Sequence, residues 1–565
     1  MRILGINHSH DAGAAIIEEG KIVAAVNEER LNRIKLYWGF PLLSVREVFR
    51  ISGLKPGDID YVAVSNITPG AGIGQEYHEY KFKRRLMSYM AYLPFIFGTN
   101  AFASFYKSFY SLFRKRGSVT SALKRLGIDA PVSFVEHHKG HAASAFYTSP
   151  FGSDTLVVTT DGAGDGLCAS ISTVNSDFGM KRVAQTPFFH SPASIYGYTT
   201  YNMGFIPNKH EGKLTGLAAH GKPQNTYEIY KKIESVDGLK YKVSLYPPWG
   251  YRAVKKLHML MWHKKREDIA AGLQKRSEEV AAILVSNALK KFPRKNIALA
   301  GGLFANVRVN QRIAELPGVN KVFIHPHMGD GGQSVGAAYA LWAELLLDSG
   351  KKPKPVFHDN VYFGPEFTDE EIEAALKQGN LKYRLVRDVE QEAAELIGNK
   401  KVVGRFNGRM EYGPRALGNR SILADPTDKS INDWLNKKLK RTEFMPFAPS
   451  MLSEHAEKYF NNFATGEIAA KFMTITFDCT RLCAKNAPAV THIDNTARPQ
   501  TVTKEQNPSY YKLLTIYNEL TGLPIFVNTS FNEHEQPIVC TPKDAVDSFK
   551  QGNIDVLAIG DYLVE

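Results

Sequence analysis

Thr155-Leu156-Val157-Val158-Thr159-Thr160-Asp161-Gly162-Ala163-Gly164-Asp165-Gly166-Leu167-Cys168-Ala169-Ser170-Ile171-Ser172-Thr173 is the stretch on which the fold turns. Thr155–Thr160 is apolar and β-branched and reads as a strand, Asp161 to Gly166 as a turn of small residues, and Leu167–Thr173 as the returning strand. The same order opens the chain: Arg2–Ile6, the turn His8-Ser9-His10-Asp11-Ala12-Gly13, the strand Ala14–Glu18 and, after Gly20, a third strand Ile22–Val26. Two hairpins, each with an Asp in a small-residue turn, predict two similar lobes facing each other across a cleft. Small residues let backbone approach a phosphate, and the Asp can hold a metal or its water.

A third element fits the same plan. Ile297–Ala300 is a short apolar strand, followed by Gly301-Gly302-Leu303-Phe304-Ala305-Asn306 and a helical run to Glu315. A glycine pair between strand and helix gathers backbone N–H groups and the positive end of the helix at one point. Together the three elements resemble the actin-like ATPase (ASKHA) architecture, so the expected fold class is α/β with a two-lobed first domain.

The chain has 565 residues, beyond one ordinary core, so two or more domains are expected. Prolines alternating with lysines at Lys351-Lys352-Pro353-Lys354-Pro355 cannot continue a helix and stay solvated. They set the expected division: a first domain over 1–346, a linker over 347–360, and a second domain over 361–565 that begins with an amphipathic helix near Asp369–Gln378. Four cysteines cannot form a disulfide framework, and the opening residues lack the basic and apolar regions of a signal peptide. Both point to the cytoplasm. A net charge of +13 favours anionic partners without choosing among them. An aromatic insertion over 78–126 contains an uncharged run, Leu86 to Tyr106, flanked by Lys81, Lys83, Arg84 and Arg85 before and Lys107, Arg114, Lys115 and Arg116 after. Pro94 and Gly98 interrupt it, which argues against a simple membrane span. Either an inserted helical pair packed on the domain or an interfacial hairpin, giving peripheral membrane contact through 81–116, fits the pattern.

The sharpest chemical cluster is Glu136-His137-His138-Lys139-Gly140-His141. His137 and His141 are four apart, so on a helix both imidazoles leave one face and can share a metal. Asp161 ends the next strand, and Asp330 lies in His325-Pro326-His327-Met328-Gly329-Asp330-Gly331-Gly332, before a helix over Ser334–Leu345. Two His and two Asp suit Fe(II), Mn(II) or Zn(II) better than Ca or a thiolate metal. The same His spacing also recurs on helices that hold no metal.

This set resembles the metal site of the TsaD threonylcarbamoyl transferases, which act on tRNA adenosine. The wider pattern is closer to the NodU/CmcH O-carbamoyltransferases and runs nearly end to end. It is carried by His10-Asp11-Ala12-Gly13-Ala14-Ala15, Glu28-Glu29-Arg30, Glu211-Gly212-Lys213-Leu214-Thr215-Gly216-Leu217-Ala218-Ala219-His220-Gly221 and Gly301-Gly302. In the second domain the matching string is Gly404-Arg405-Phe406-Asn407-Gly408-Arg409-Met410-Glu411-Tyr412-Gly413-Pro414-Arg415-Ala416-Leu417-Gly418-Asn419-Arg420-Ser421. Arginine is the side chain for bidentate phosphate contact. Three shorter stretches follow: Lys438, Lys440 and Arg441 before Pro446; Thr491 to Gln500, with Asn495 where the family motif has Gly; and Asn528-Thr529-Ser530-Phe531-Asn532 after the strand Pro524–Val527. Asn tolerates a positive φ better than most residues, so the turn at Asn495 is expected to survive.

The resemblance implies that the second domain is YrdC-like and makes carbamoyladenylate from carbamoyl phosphate and ATP with Mg(II). Arg405, Arg409, Arg415, Arg420 and Arg498 are the expected phosphate contacts, with Lys440, Arg441, Ser530 and Asn532 beside them. Lys213, Gly301, Gly302 and Asn306 are the expected nucleotide contacts of the first domain, and His137, His141, Asp161 and Asp330 the expected ligands of Fe(II), with Mn(II) or Zn(II) as alternatives. Attaching AMP gives the poorly electrophilic carbamoyl group a good leaving group. Transfer to a hydroxyl then needs a base, worth about 10²–10⁴-fold, for which His10 and Asp11 are the candidates; Asp11 also suits mere turn-ordering and His10 mere packing. Expected partners are a hydroxyl-bearing small molecule, sugar or glycolipid and a second copy of the chain as a homodimer, with nucleic acid disfavoured. Two rivals remain at this point: threonylcarbamoyl transfer to tRNA, and an actin-like ATPase module without transferase activity.

Overall fold

A computed structural model describes residues 1–67, 116–246, 250–438, 447–552 and 554–565. Most of the aromatic insertion, and with it Lys440 and Arg441, lies outside the described residues. Of the insertion only the helix Arg116–Arg125 is described, and among the described residues no helix is long and apolar enough to cross a membrane. The chain divides into two compact units. The first comprises Met1–Ile22, Trp38–Pro41 and Leu54–Phe357, the second Val23–Tyr37, Leu42–Gly53 and His358–Glu565.

The first unit is built from two five-stranded sheets of one topology. Strands β1 (Arg2–Asn7), β2 (Gly13–Glu18), β3 (Lys21–Asn27), β4 (Tyr61–Ser65) and β5 (Val132–Val135) lie in the order β3-β2-β1-β4-β5. Strands β6 (Thr155–Gly164), β7 (Leu167–Val174) and β8 (Met180–Pro187) form a meander, and β9 (Glu234–Asp237) and β10 (Lys240–Val243) a separate hairpin. With β11 (Asn296–Ala300) and β12 (Lys321–Ile324), the second sheet runs β12-β11-β6-β7-β8. In both sheets the first strand pairs antiparallel with the next and parallel with a later one: Ile3 faces Ile17 and Tyr61, and Val157 faces Ser172 and Ala298. This duplicated sheet is the layout of the actin-like ATPases. The expected hairpins are present within a residue or two at each end, β6 running on through the Asp161 turn to Gly164.

Two helices fill the space between the sheets: α1 (His137–Tyr147) against β6, β7 and β11, and α2 (Gln333–Asp348) against β1, β2, β4 and β5. They touch each other through glycines. A Cβ on Gly140 would stand 2.2 Å from Gln333 Oε1, and one on Gly336 would stand 2.3 Å from the Gly140 carbonyl oxygen. Only hydrogen at both positions lets the helices approach this closely, and that approach brings the start of α2 to the imidazoles of α1. Helix α2 reaches Asp348, two residues into the expected linker.

The second unit carries an eight-stranded mixed sheet, which agrees with the α/β class expected for it. Its strands are β13 (Tyr383–Leu385), β14 (Val403–Phe406), β15 (Arg420–Ala424), β16 (Ala448–Leu452), β19 (Gln500–Val502), β20 (Ile525–Ser530), β21 (Val556–Ile559) and β22 (Tyr562–Val564). The short pair β17 (Phe477–Asp478) and β18 (Thr496–Ala497) stands apart, and the main order is β13-β22-β21-β14-β15-β20-β16-β19. Helices Val389–Gly398 and Pro508–Thr521 bury Ala393, Ile397, Leu514 and Tyr517 against Val403, Leu423 and Phe526. The arginine string is the loop joining β14 to β15.

One division differs from the sequence expectation. Val23–Tyr37 and Leu42–Gly53, assigned by position to the first domain, group with the second unit. Glu28 accepts hydrogen bonds from the Leu43 and Ser44 amides at the start of helix Leu42–Ser52. Arg30 donates to the Gly413 carbonyl at 2.9 Å, and Arg33 to the carbonyls of Pro537 and Ile538 at 2.8 and 2.7 Å. The Glu28-Glu29-Arg30 stretch is therefore a fastening within the second unit.

Candidate metal centre and anion site

In the first unit four predicted ligands converge. His137 and His141 leave the first turn of α1, Asp161 sits late in β6, and Asp330 lies in the turn before α2; one ligand atom from each falls within 4.8 Å of all the others. His137 Nε2 is 2.9 Å from Asp161 Oδ2 and 3.5 Å from Asp330 Oδ1. His141 Nε2 is 3.3 Å from Asp330 Oδ1 and 3.6 Å from Asp161 Oδ2, and it is buried without a hydrogen-bond partner. An orphaned imidazole nitrogen beside one buried and one half-buried carboxylate fits a divalent cation, whose charge two carboxylates and two neutral imidazoles would balance. Without it the carboxylates draw on protons. Burial alone would lower the His137 pKa, but Asp330 and Asp161 raise it to about 9. Burial pushes Asp161 and Asp330 up, yet the neighbouring imidazoles hold both well below the usual carboxylate range.

The surroundings set each side chain. Glu136 caps α1 by accepting from the Lys139 amide. Asp165, at a φ of 47°, accepts from the His137 amide at 2.8 Å and from the Ile67 amide at 2.9 Å. His137 Nδ1 is 2.7 Å from Asn66 Oδ1, which fixes that nitrogen as the donor and leaves Nε2 a lone pair toward the cluster. Gly164 is required here, because a Cβ on it would stand 2.1 Å from the His137 ring. The first turn of the chain joins the same place. Asn7 Nδ2 donates to the carbonyls of His10, Asp11 and Asp330, while its Oδ1 accepts from the Ser9 and Ser65 hydroxyls. His10 Nε2 thereby sits 2.9 Å from Asp330 Oδ2, and its Nδ1 is 3.1 Å from Asp11 Oδ2. Burial works against a charge on His10, but Asp330 and Asp11 raise its pKa well above the ordinary value.

The other expected contacts of the first unit are placed as follows. The Gly302 amide donates to Asp161 Oδ1 at 3.1 Å, and Gly301, at a φ of 109°, could carry no Cβ without meeting the Thr160 carbonyl. The Asn306 side chain is occupied: it caps the helix Val307–Ala314 and exchanges hydrogen bonds with the Gln274 amide. Lys213, on the helix Glu211–Ala218, lies 5.6 Å over the Phe205 ring.

In the second unit the arginines part company. Arg420 donates to the carbonyls of Asn407, Asn419 and Gly408 at 2.8, 2.9 and 3.1 Å and stacks 3.6 Å over the Phe406 ring. Arg409 donates to the carbonyls of Gly364, Phe363 and Val23. Arg405 is held by the Ser509 hydroxyl at 2.5 Å, with Glu390 at 3.8 Å. These three, expected as phosphate contacts, each spend donors on protein oxygens, while the buried Nε of Arg405 and of Arg420 has no hydrogen-bond partner. Arg415 and Arg498 are different. Among the described residues neither guanidinium has a hydrogen-bond or ion-pair partner, and Arg415 Nε is buried. Burial holds Arg415 down to about 10, and burial together with the like charge of Arg415 holds Arg498 well below the usual arginine range. Two half-buried cations without a carboxylate partner could together hold an anion.

The loop that presents Arg415 is shaped by Glu411, whose Oε1 accepts from the amides of Leu417, Asn419 and Arg420. Gln500 and Asn528 hold its far side by donating to the carbonyls of Leu417 and Ala416. Asn495 adopts the positive φ of its turn, 59°. Ser530 ends β20, and Asn532 Nδ2 is taken up by the carbonyls of Glu533 and Gln536. Sequence reasoning did not find Asn7, Asn66 or the role of Asp165. Asn66, at a φ of 67°, and Asp165 are of residue types that tolerate left-handed backbone, the one local signal they carry.

Residues 2–339 match the family described as carbamoyltransferase N-terminus, and residues 394–565 match carbamoyltransferase C-terminus. A Methanocaldococcus jannaschii protein named only as uncharacterized is 33% identical over 621 aligned positions, covering 100% of this chain and 99% of that one. Nodulation protein NolNO of Sinorhizobium fredii is 30% identical and covers 98% of this chain and 79% of its own. Nodulation protein U of the same organism is 25% identical, with 94% of each chain covered. Among solved structures, component A of the Acidaminococcus fermentans (R)-2-hydroxyglutaryl-CoA dehydratase covers 60% of this chain and 96% of its own at 14% identity, with a TM-score of 0.33, too low to carry an argument.

Proposed function

This chain belongs to the carbamoyltransferase family, and from that premise we propose that it uses ATP to activate a carbamoyl group and moves it to a hydroxyl of a small-molecule, sugar or glycolipid acceptor. The observation that carries the reading is the convergence of His137, His141, Asp161 and Asp330, with His141 Nε2 buried and unpartnered. The Arg415 and Arg498 pair supports the activation half.

In the second unit, carbamoyl phosphate would lose phosphate to water to give carbamate. A carbamate oxygen then bonds to the α-phosphorus of ATP as pyrophosphate leaves, forming carbamoyladenylate. Arg415 and Arg498 offer the positive charge that neutralises these anions, and their partial burial strengthens the interaction. In the first unit a divalent cation, once bound, supplies Lewis acidity to the group under attack. His137, His141, Asp161 and Asp330 would hold it, with Asn66 and Asp165 fixing His137. The acceptor oxygen bonds to the carbamoyl carbon, AMP departs, and the hydroxyl proton goes to a base. Of the two candidates Asp11 is the base, because His10, whose ring nitrogens each face a carboxylate, already carries its proton. Fe(II) is the proposed metal, a homodimer the proposed assembly, and the segment 81–116 a proposed peripheral membrane contact.

The test is carbamoyl-phosphate-dependent exchange of labelled pyrophosphate into ATP with purified protein and added Fe(II) or Mn(II). Exchange that vanishes in Arg415→Ala supports activation as described. ATP turnover without exchange would overturn it in favour of another activated acyl group or a simple ATPase.

A further inference from the structure

The helix Gly250–Leu260 and the turn after it have an outer face that the transferase chemistry does not use. The inner face is fully employed: Ala253, Val254, Leu257 and Met261 are buried in a cluster with Tyr198, Tyr230 and Leu273. Yet the opposite side exposes Met259 by 60%, Leu260 by 38% and Trp262 by 61%. Trp262 is seated rather than loose, with the His258 and His263 rings edge-on to it at 5.6 and 5.1 Å. Lys255, Lys256, Lys264 and Lys265 are exposed around this patch. No Asp or Glu occurs in the sequence between Asp237 and Glu267, so the local charge is of one sign.

Exposed Trp, Met and Leu ringed by lysines fit the boundary between lipid headgroups and acyl chains, where an indole sits best and lysines meet anionic phosphates. A single-stranded nucleic acid would use the cations and the indole but gain little from Met259 and Leu260, since it is aromatic faces that stack on bases. We propose that this face docks the protein on an anionic phospholipid bilayer. The inference does not rest on the transferase reading, and it concerns a different segment from 81–116.

The experiment is co-sedimentation of the full chain with vesicles of phosphatidylcholine alone and of phosphatidylcholine mixed with phosphatidylglycerol. The wild type is expected to sediment with the mixed vesicles only, less so as salt rises. The double variants Met259→Ser/Trp262→Ser and Lys264→Glu/Lys265→Glu, on exposed sites and checked for unchanged melting temperature, are each expected to lose at least about tenfold in affinity, a lysine near an anionic surface being worth roughly fivefold. Failure to sediment with phosphatidylglycerol vesicles would overturn the proposal. So would wild-type binding by both variants, which would place the contact elsewhere, as on 81–116. Displacement from vesicles by single-stranded RNA, lost in the Trp262 variant, would reassign the face to nucleic acid.

Discussion

The two polar clusters of this chain are built on opposite terms. In the first unit the four predicted ligands arrive at one point, and among these four the buried atom without a hydrogen bond is His141 Nε2, facing two carboxylates. In the second unit a string of four arginines disperses: Arg405, Arg409 and Arg420 turn inward to hydroxyl, carboxylate and carbonyl oxygens, while Arg415 stands with Arg498 without an anion. A motif rich in one residue type thus says little about how many of its members meet a ligand. Accounting for each donor does, because an N–H already given to a protein oxygen is not free for phosphate.

The largest effect expected from this contrast is at the convergent cluster. Asp330→Asn removes one of two charges that a divalent ion would need, and carbamoyl transfer should fall by at least about 10³-fold, with metal per chain, read by elemental analysis, dropping alongside it. Retained metal and activity would break the comparison at its first term. Next come the arginines. Arg415→Ala and Arg498→Ala should each reduce pyrophosphate exchange by about 10²–10³-fold while leaving the melting temperature unchanged, since among the described residues neither half-buried guanidinium makes a hydrogen bond or ion pair that its loss would break. Arg420→Met should do the reverse, costing about 2–4 kcal/mol of stability by leaving carbonyls without donors. If Arg420→Met instead folds as stably as wild type and loses exchange outright, the distinction between strut and ligand fails.

How much of this was legible beforehand depended on distance along the chain. The hairpins, the four-residue spacing of His137 and His141, and the Gly301-Gly302 turn are local patterns, and the structure places them where periodicity put them. The inward turn of Arg409 and Arg420 was not legible, because phosphate and carbonyl oxygen ask for the same side chain and the carbonyls include Val23, far away in sequence. The membership of Val23–Tyr37 in the second unit was hidden for the same reason. Asn66 escaped notice because a second partner to a histidine leaves no spacing rule, only a tolerance for positive φ.

That last residue gives a smaller test. Asn66→Ala should weaken metal affinity by about 10–100-fold, measured by competition with a chelator, with stability little changed; an unaltered affinity would mean that burial alone orients His137. Smaller again is a pH effect that uses a residue of neither cluster. Glu234 is buried with neither carboxylate oxygen hydrogen-bonded, and burial pushes its pKa up to about 8 despite Arg276. The unfolded chain loses this proton first, so the native state binds more protons between the ordinary value of 4.5 and about 8, and stability falls as pH rises through that window. The slope is about 1.4 kcal/mol per pH unit at most. Denaturation midpoints of wild type and Glu234→Gln should therefore diverge with rising pH, the variant staying flatter; parallel curves would show that Glu234 ionises normally.

The path of the chain through Val23–Tyr37 and Leu42–Gly53 has a consequence for synthesis and for descent. During translation these segments leave the ribosome hundreds of residues before Gly413, Pro537 and Ile538, the groups that Arg30 and Arg33 grip. The second unit must keep its earliest piece waiting while the whole first unit is made. A gene cut at the linker after Phe357 would yield a C-terminal polypeptide lacking Glu28, Arg30 and Arg33, and so could not hand the second unit on as a free-standing module. The two halves are threaded together, and recombination at the linker cannot shuffle one without unpicking the other.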